Sequence, residues 1–308
     1  MLQASTLSQM ISSPQHFMPL SSSVEVEHLM AGQEAEVLEF LSQRPIHTVA
    51  MVSLIRDNGL VSLMNRGTFY ACRDTNGHLE GVALIGHATL METISSRALQ
   101  ALARVAKHCK GTHMIMGEQD RIKEYWDYCS RAGQEMRLAC RELLLELRWP
   151  VEVHASVPNL RPATMNELEL LIPIQAQMAF EESEVNPLDV DPDGFRSRCK
   201  RRIEQGRTWV LMENDELVFK ADIIADTPAA VYLEGVWVSE DKRGTDRGIQ
   251  CFSELSRKLL TRTKSICLLV NENNKRAQAL YKKCGYLFRA TYETIFLPQK
   301  ETNMSVNN

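Results

Sequence analysis

Several features are missing from this chain of 308 residues, and each absence removes a class of function. No apolar run approaches the ~20 residues that a membrane-crossing helix needs. Lys and Arg total 35 against 39 Asp and Glu, a formal net charge of −4, so no electrostatic footprint for nucleic acid or an anionic membrane is expected. The eight cysteines, at positions 72, 109, 129, 140, 199, 251, 267 and 284, show no CxxC or Cys/His spacing, which argues against a zinc site. Scattered in this way they read as reduced, mostly buried thiols, and the expected compartment is the cytoplasm. All eight histidines fall within residues 1–154, so the second half has no imidazole to serve as a base. The opening 23 residues lack a basic start followed by an apolar core, so no secretory signal is expected there. Their Ser, Gln and Pro content suggests a loosely ordered arm.

What remains is an ordinary globular composition, 44% apolar and 24% charged, at a length that suits two domains of ~150 residues. Periodicity predicts helices near 33–41, 47–55 and 97–107, a hairpin over 67–85 with a TNG turn, and a compact strand at 113–117. QDRIKEYWDYC reads as a helix and RLACRELLLELRW as a long closing strand or hairpin. The second half repeats this order: a strand start at 160–164, helices over 166–180 and 195–204, then a hairpin across an ENDE turn. RGTFYACRDTNGHLEGVAL aligns best with GRTWVLMENDELVFKADI, about 140 residues later. That period is too long for a solenoid and indicates duplication of a whole α/β domain. The expected layout is an arm over 1–23, a first domain over 24–150, a linker over 151–159, a second domain over 160–300 and a tail over 301–308.

The halves differ most between hairpin and central helix, where the first has LMETISSR and the second SEDKRGTDRG. A glycine-containing turn opening a helix converges backbone N–H groups on one centre and suits phosphate oxygens. Alone, such a turn is equally a surface loop. The basic run Arg196, Arg198, Lys200, Arg201 and Arg202 reads as a solvated helix face rather than a phosphate patch.

Val231 to Tyr286 carries three further segments, GVWVSEDKRG, ICLLVNENN and AQALYKKCGY. Together with Asn274, Ala277, Leu280, Tyr281, Gly285 and Tyr286 they resemble the GNAT N-acetyltransferase superfamily. Over about residues 24 to 297 the chain is similar to tandem-domain GNAT proteins with a degenerate N-terminal copy. The resemblance implies an α/β (α+β) fold of two GNAT-like domains, each a mixed, mostly antiparallel sheet flanked by helices. It implies acetyl-CoA as the cofactor and transfer of the acetyl group to a primary amine of a small molecule or peptide, by direct attack on the thioester.

By the same resemblance, Val236, Trp237 and Val238 pair with the pantetheine arm, and Arg243, Gly244, Thr245, Asp246, Arg247 and Gly248 form the pyrophosphate loop. Asn274 and Tyr281 face the cofactor. Asp246 stands where the family has its middle glycine. A carboxylate about 4 Å from a phosphate costs about 1 kcal/mol in water and up to about 4 at an effective dielectric of 20, so weakened affinity is expected. Asp246 is expected to turn outward or to cap the helix. The attacking amine must first lose a proton. Glu234 is the candidate base, against the alternative of a strand-edge carboxylate, and Tyr281 the candidate acid for the leaving thiolate, against a packing tyrosine. Glu181, Glu182 and Glu184 in FEESEVNP are candidates for attracting a cationic acceptor, against a solvated helix end. Trp209 and Trp237 are expected in the core. No metal is expected. A non-catalytic CoA-binding or interaction module remains the alternative, with aminoacyl transfer from charged tRNA a third reading.

Overall fold

The computed structural model describes residues 24–109, 111–131 and 133–298. The arm expected over 1–23 and the tail over 301–308 lie outside the described residues. The first half runs β1 (Glu25–His28), α1 (Glu34–Ser42), α2 (Pro45–Asn58), β2 (Gly67–Arg73), β3 (Leu79–Gly86), β4 (Ala88–Thr93), α3 (Ser96–Ala106), β5 (Met114–Glu118), α4 (Gln119–Ser130) and β6 (Leu138–Leu147). The second half runs β7 (Arg161–Pro162), α5 (Leu168–Ser183), α6 (Pro187–Val190), α7 (Pro192–Glu204), β8 (Thr208–Glu213), β9 (Glu216–Asp226), β10 (Val231–Val238), α8 (Arg247–Leu259), β11 (Ile266–Asn271), α9 (Lys275–Lys283) and β12 (Leu287–Phe296).

Local chemistry accounts for these boundaries. The Ser95 hydroxyl accepts the Ala98 N–H to start α3, and Asn274 Oδ1 accepts the Ala277 N–H to start α9. The β8–β9 turn carries positive φ at both Asn214 and Asp215, the residue types that tolerate the left-handed region in a two-residue hairpin. Along α8, Cys251, Phe252, Leu255 and Leu259 recur at helical spacing and are buried, whereas Arg257 and Lys258 face outward.

The expected two sheets are joined into one. Twelve strands run in the order β1-β2-β3-β4-β5-β12-β6-β11-β10-β9-β8-β7. Only β4–β5 and β10–β11 pair in parallel; the other neighbours are antiparallel. The closing strand of each half has crossed to the other. β6 pairs with β11, from Ile266↔Leu147 to Asn271↔Glu142, and β12 pairs with β5, from Tyr292↔Glu118 to Phe296↔Met114. β6 and β12 pair with each other at the centre. RLACRELLLELRW therefore forms a single strand that completes the second half's sheet.

Helices cover both faces. α8 and α9 close one large core with Leu233, Ile266, Leu268 and Tyr281. On the other face α2, from the first half, reaches across the junction: Val49 packs with Tyr232, Cys267 and Tyr292. The end of α2 is tied to the second half by Arg207 on Asp57 (2.7 Å), Arg201 on Asn58 (2.9 Å) and the Asp226 N–H on Ser53 Oγ (3.1 Å). The basic run is thus consumed within the chain rather than offered to a partner. Arg198 pairs with Asp191, Lys200 with Glu204, Arg202 with Asp222, and Arg196 with Glu169.

Candidate active site

β10 and β11 begin as parallel partners and then part. Val231, Tyr232 and Leu233 pair with Ile266, Cys267 and Leu268; beyond Leu233 no residue of β10 pairs with β11. On its other side β10 stays attached to β9 but slips. Glu234 faces Asp222 and Trp237 faces Lys220, so β10 spends three residue steps where β9 spends two. That is a β-bulge, which bends the strand and opens a wedge against β11. Gly235 makes it possible, with φ of +60°. A Cβ there would lie 2.8 Å from both Asp222 Oδ2 and Lys220 Nζ.

A buried charge network holds the bulge. The Lys220 ammonium donates to Asp222 Oδ2 at 2.6 Å and to the Gly235 carbonyl at 3.1 Å. Asp222 also accepts from Arg202 at 3.1 Å and from the Thr208 hydroxyl at 2.8 Å. Burial lowers the Lys220 pKa, while for Asp222 the pull of Lys220 and Arg202 outweighs burial and keeps the carboxyl below its usual range.

Glu234 stands at the point where the strands part, half-buried, with Oε1 accepting from the Tyr232 hydroxyl at 2.7 Å. Burial raises its pKa, opposed by that hydrogen bond. Two further carboxylates share its field. Burial pushes Glu142 of β6 up to about 7, although Oε2 accepts from the Thr294 hydroxyl at 2.6 Å. Burial and then the charges of Glu234 and Glu142 push Glu182 up to about 8. Among the described residues none of the three forms an ion pair with Lys or Arg. Glu181 and Glu184 point to other partners: Gln177 donates to Glu181 at 2.9 Å, and Glu184 lies 3.7 Å from Arg137. Of the FEESEVNP carboxylates, only Glu182 joins Glu234.

Glu142 was not among the sequence candidates. Its signal was a pair of acids, Glu142 and Glu146, four residues apart on one face of an otherwise leucine-rich strand. Assigned to the first half as a closing strand, that pair had no visible connection with Glu234. Glu146 is engaged elsewhere, accepting from Arg148 and Arg289, each at 2.8 Å.

The loop after β10 turns through Glu240–Lys242 and Gly244, whose φ is +82°, into α8. The Thr245 hydroxyl donates to the Lys242 carbonyl at 2.7 Å and accepts the Arg247 N–H at 3.2 Å. Gly248 is buried against β10, where a Cβ would meet Val238 Cγ2 at 3.2 Å. Asp246 occupies the N-cap position but makes no side-chain cap bond and is exposed. The loop cations are held within the chain. Lys242 pairs with Asp241 (2.9 Å), Arg247 with Glu213, and Arg243 with Glu240 (3.3 Å). Arg243 Nε also donates to the Val238 carbonyl at 2.9 Å, occupying the end of the strand edge that lines the wedge. Asn274 spends its Oδ1 on the α9 cap. Tyr281 packs in the core against Phe252 and Tyr286, and burial drives its phenol well above the ordinary range, so it keeps its proton. Trp237 and Trp209 are half-buried against the two cores of the second half.

The first half has a corresponding parallel pair, closed by a side chain. β4 pairs with β5 only through Leu90↔Met116. Just beyond, Arg44 bridges Glu92 on β4 (3.0 Å) and Glu118 on β5 (2.5 Å).

A parallel pair that splays at a bulge, followed by a glycine turn into a helix, decides the architecture. This is the GNAT fold. Residues 217–295 match the family model described as FR47-like protein. Among solved structures, a Drosophila protein aligns with a TM-score of 0.63 at 10% identity, over 89% of this chain and 99% of that one. A GCN5-related N-acetyltransferase from Sphaerobacter thermophilus aligns at 0.55 and 10% identity, over 90% and 97%. A tandem GNAT protein from the clavulanic acid biosynthesis pathway aligns at 0.52 and 12% identity, over 90% and 100%. No curated protein matches the chain. These likenesses establish the fold and leave the chemistry to the residues themselves. Among the described residues no helix is long and apolar enough to cross a membrane, and no group of His, Cys, Asp and Glu could hold a metal ion.

Proposed function

We propose that the chain is an acetyl-CoA-dependent N-acyltransferase acting on a primary amine, with its site in the second half. The observation that carries this reading is the wedge between β10 and β11 with Glu234 at its vertex. An open strand edge at Val236–Val238 suits an extended amide-bearing arm docking as an added strand. The first turn of α8, with Gly244 and Gly248 at its approach, suits a pyrophosphate. The Lys242–Asp241 and Arg243–Glu240 pairs lie at the surface and are individually worth about 0–1 kcal/mol, so a phosphate can exchange for them cheaply.

When bound, acetyl-CoA supplies an activated acyl group as a thioester. Glu234 takes the proton from the incoming ammonium, and its burial-raised basicity suits that task better than an ordinary carboxylate would. Glu142 and Glu182 can ionise as a cation approaches, because its charge lowers their raised pKa values. The protonated Tyr281 phenol is the acid for the departing sulfur. A backbone N–H at Val238 or its neighbour stabilises the developing oxyanion. The first half, its gap spanned by Arg44, is read as a degenerate copy that serves as a scaffold. The eight cysteines, all free, suit a reducing cytoplasm.

Two observations favour the alternative of a non-catalytic CoA-binding module. Arg243 covers the Val238 carbonyl, and Asp246 adds a negative charge to the loop. Calorimetry with acetyl-CoA separates the readings. No binding at millimolar cofactor removes the enzyme reading, whereas binding without acetylation of any amine in a broad panel favours the module.

A further inference from the structure

Tyr232 lies two residues before Glu234 on the same face of β10, and only 5% of its surface is exposed. Its hydroxyl donates to Glu234 Oε1 at 2.7 Å. Its ring is packed by residues from both halves: Val49 of α2, Leu144 of β6, and Cys267 and Tyr292 of the second half. Tyr232, His47 and Leu269 are among the residues lining a cavity of about 50 Å³. Two constraints hold the ring, the bond to Glu234 and the contact with α2.

We propose that Tyr232 is a positioning residue, fixing the Glu234 carboxylate at the wedge and passing to it the constraint that helix α2 of the first half applies to its ring. The proposal rests on the reading of Glu234 as the base. A hydroxyl donating to a carboxylate favours the ionised form, so Tyr232 keeps Glu234 more available as a proton acceptor than its burial alone permits. It also fixes which oxygen stays free. Oε1 is occupied by the phenol, which leaves Oε2 for the acceptor's proton. The other charges around Glu234 are Glu142 on β6, Glu182 on α5, Asp222 and Lys220 on β9, and Arg202 on α7. None of them is altered by Tyr232→Phe, which removes one oxygen and preserves the ring's volume. The scaffold half thereby gains a part in the chemistry through one aromatic ring.

The test reads Glu234 directly, without relying on turnover. The full chain is labelled with carboxyl-¹³C glutamate and titrated by NMR, and the resonance absent from Glu234→Gln is assigned to Glu234. In Tyr232→Phe its midpoint should rise by about one pH unit. In Val49→Ala, which keeps the hydroxyl but loosens the ring, it should rise by less. The acidic limb of the kcat profile should move the same way, with KM for acetyl-CoA unchanged. A wild-type midpoint in Tyr232→Phe overturns the role of Tyr232, and one in Val49→Ala removes α2 from it. Full turnover by Glu234→Gln overturns the base assignment and the catalytic consequence of Tyr232 with it. An inactive Glu234→Gln beside an unshifted Tyr232→Phe overturns Tyr232 alone.

Discussion

The Lys220 ammonium lies 2.6 Å from Asp222 Oδ2, with both side chains 1% exposed. It simultaneously holds the Gly235 carbonyl at the bulge. Removing one partner of a buried ion pair leaves the other without compensation and costs about 3–5 kcal/mol. Lys220→Met should fall at the lower end, about 3 kcal/mol, because Arg202 and Thr208 still reach Asp222. Denaturant unfolding measures it. A loss below about 1 kcal/mol would show that the pair is not what holds the bulge.

Gly235→Ala should be harmful at a position without any catalytic group. The backbone is left-handed there, and the added methyl meets the Lys220–Asp222 pair. Backbone strain of this kind costs about 1–3 kcal/mol, and the wedge should narrow with it. Thermal unfolding and acetyl-CoA affinity should both decline. Wild-type values in both would mean that the bulge tolerates a side chain.

Asp246→Gly should tighten acetyl-CoA binding. The carboxylate is exposed and caps nothing, so its removal forfeits no hydrogen bond. Relief of a repulsion of about 1 kcal/mol corresponds to about fivefold in Kd, shrinking as salt rises. Calorimetry at low and high ionic strength checks both parts. Unchanged or weaker binding refutes this account of the position.

Stability should fall as pH rises from about 4.5 to about 8. Burial holds Glu142 at about 7 and Glu182 at about 8, against 4.5 for an ordinary glutamate. Between those values the folded protein binds more protons than the unfolded chain. The stabilisation is therefore full below about 4.5 and is lost as pH rises through 7 and 8. Glu182 keeps more contact with solvent than Glu142, so Glu142 should dominate. In Glu142→Gln the difference in Tm between pH 5 and pH 8.5 should shrink. An unchanged difference would place the proton uptake elsewhere.

Much of this architecture was readable from spacing. The helices over α3 and α8 follow from apolar residues at helical intervals, the β8–β9 turn from Asn214-Asp215, and the loop from its glycines. Strand exchange was not readable. Alternation in LACRELLLEL says which side chains share a face of a strand, but not which strand lies beside it, because pairing is decided by contacts far apart in sequence. Glu142 was missed for that reason, although its burial beside Glu146 was implicit in the pattern. The basic run gave the opposite difficulty. Charge density along α7 says nothing about Asp222 of β9, which binds Arg202, or about Asn58, which reaches Arg201 only once the halves have met.

The exchanged strands bear on how the molecule comes into being. The second half's sheet needs β6, made early, and the first half's sheet needs β12, made last. During synthesis from the N-terminus, the first half waits with the edge of β5 unpaired until almost the whole chain has emerged. Such long-range pairing is slow and leaves strand edges open to wrong partners. Cut between β6 and β7, each half would carry the other's closing strand and lack its own. The unit that folds is the pair.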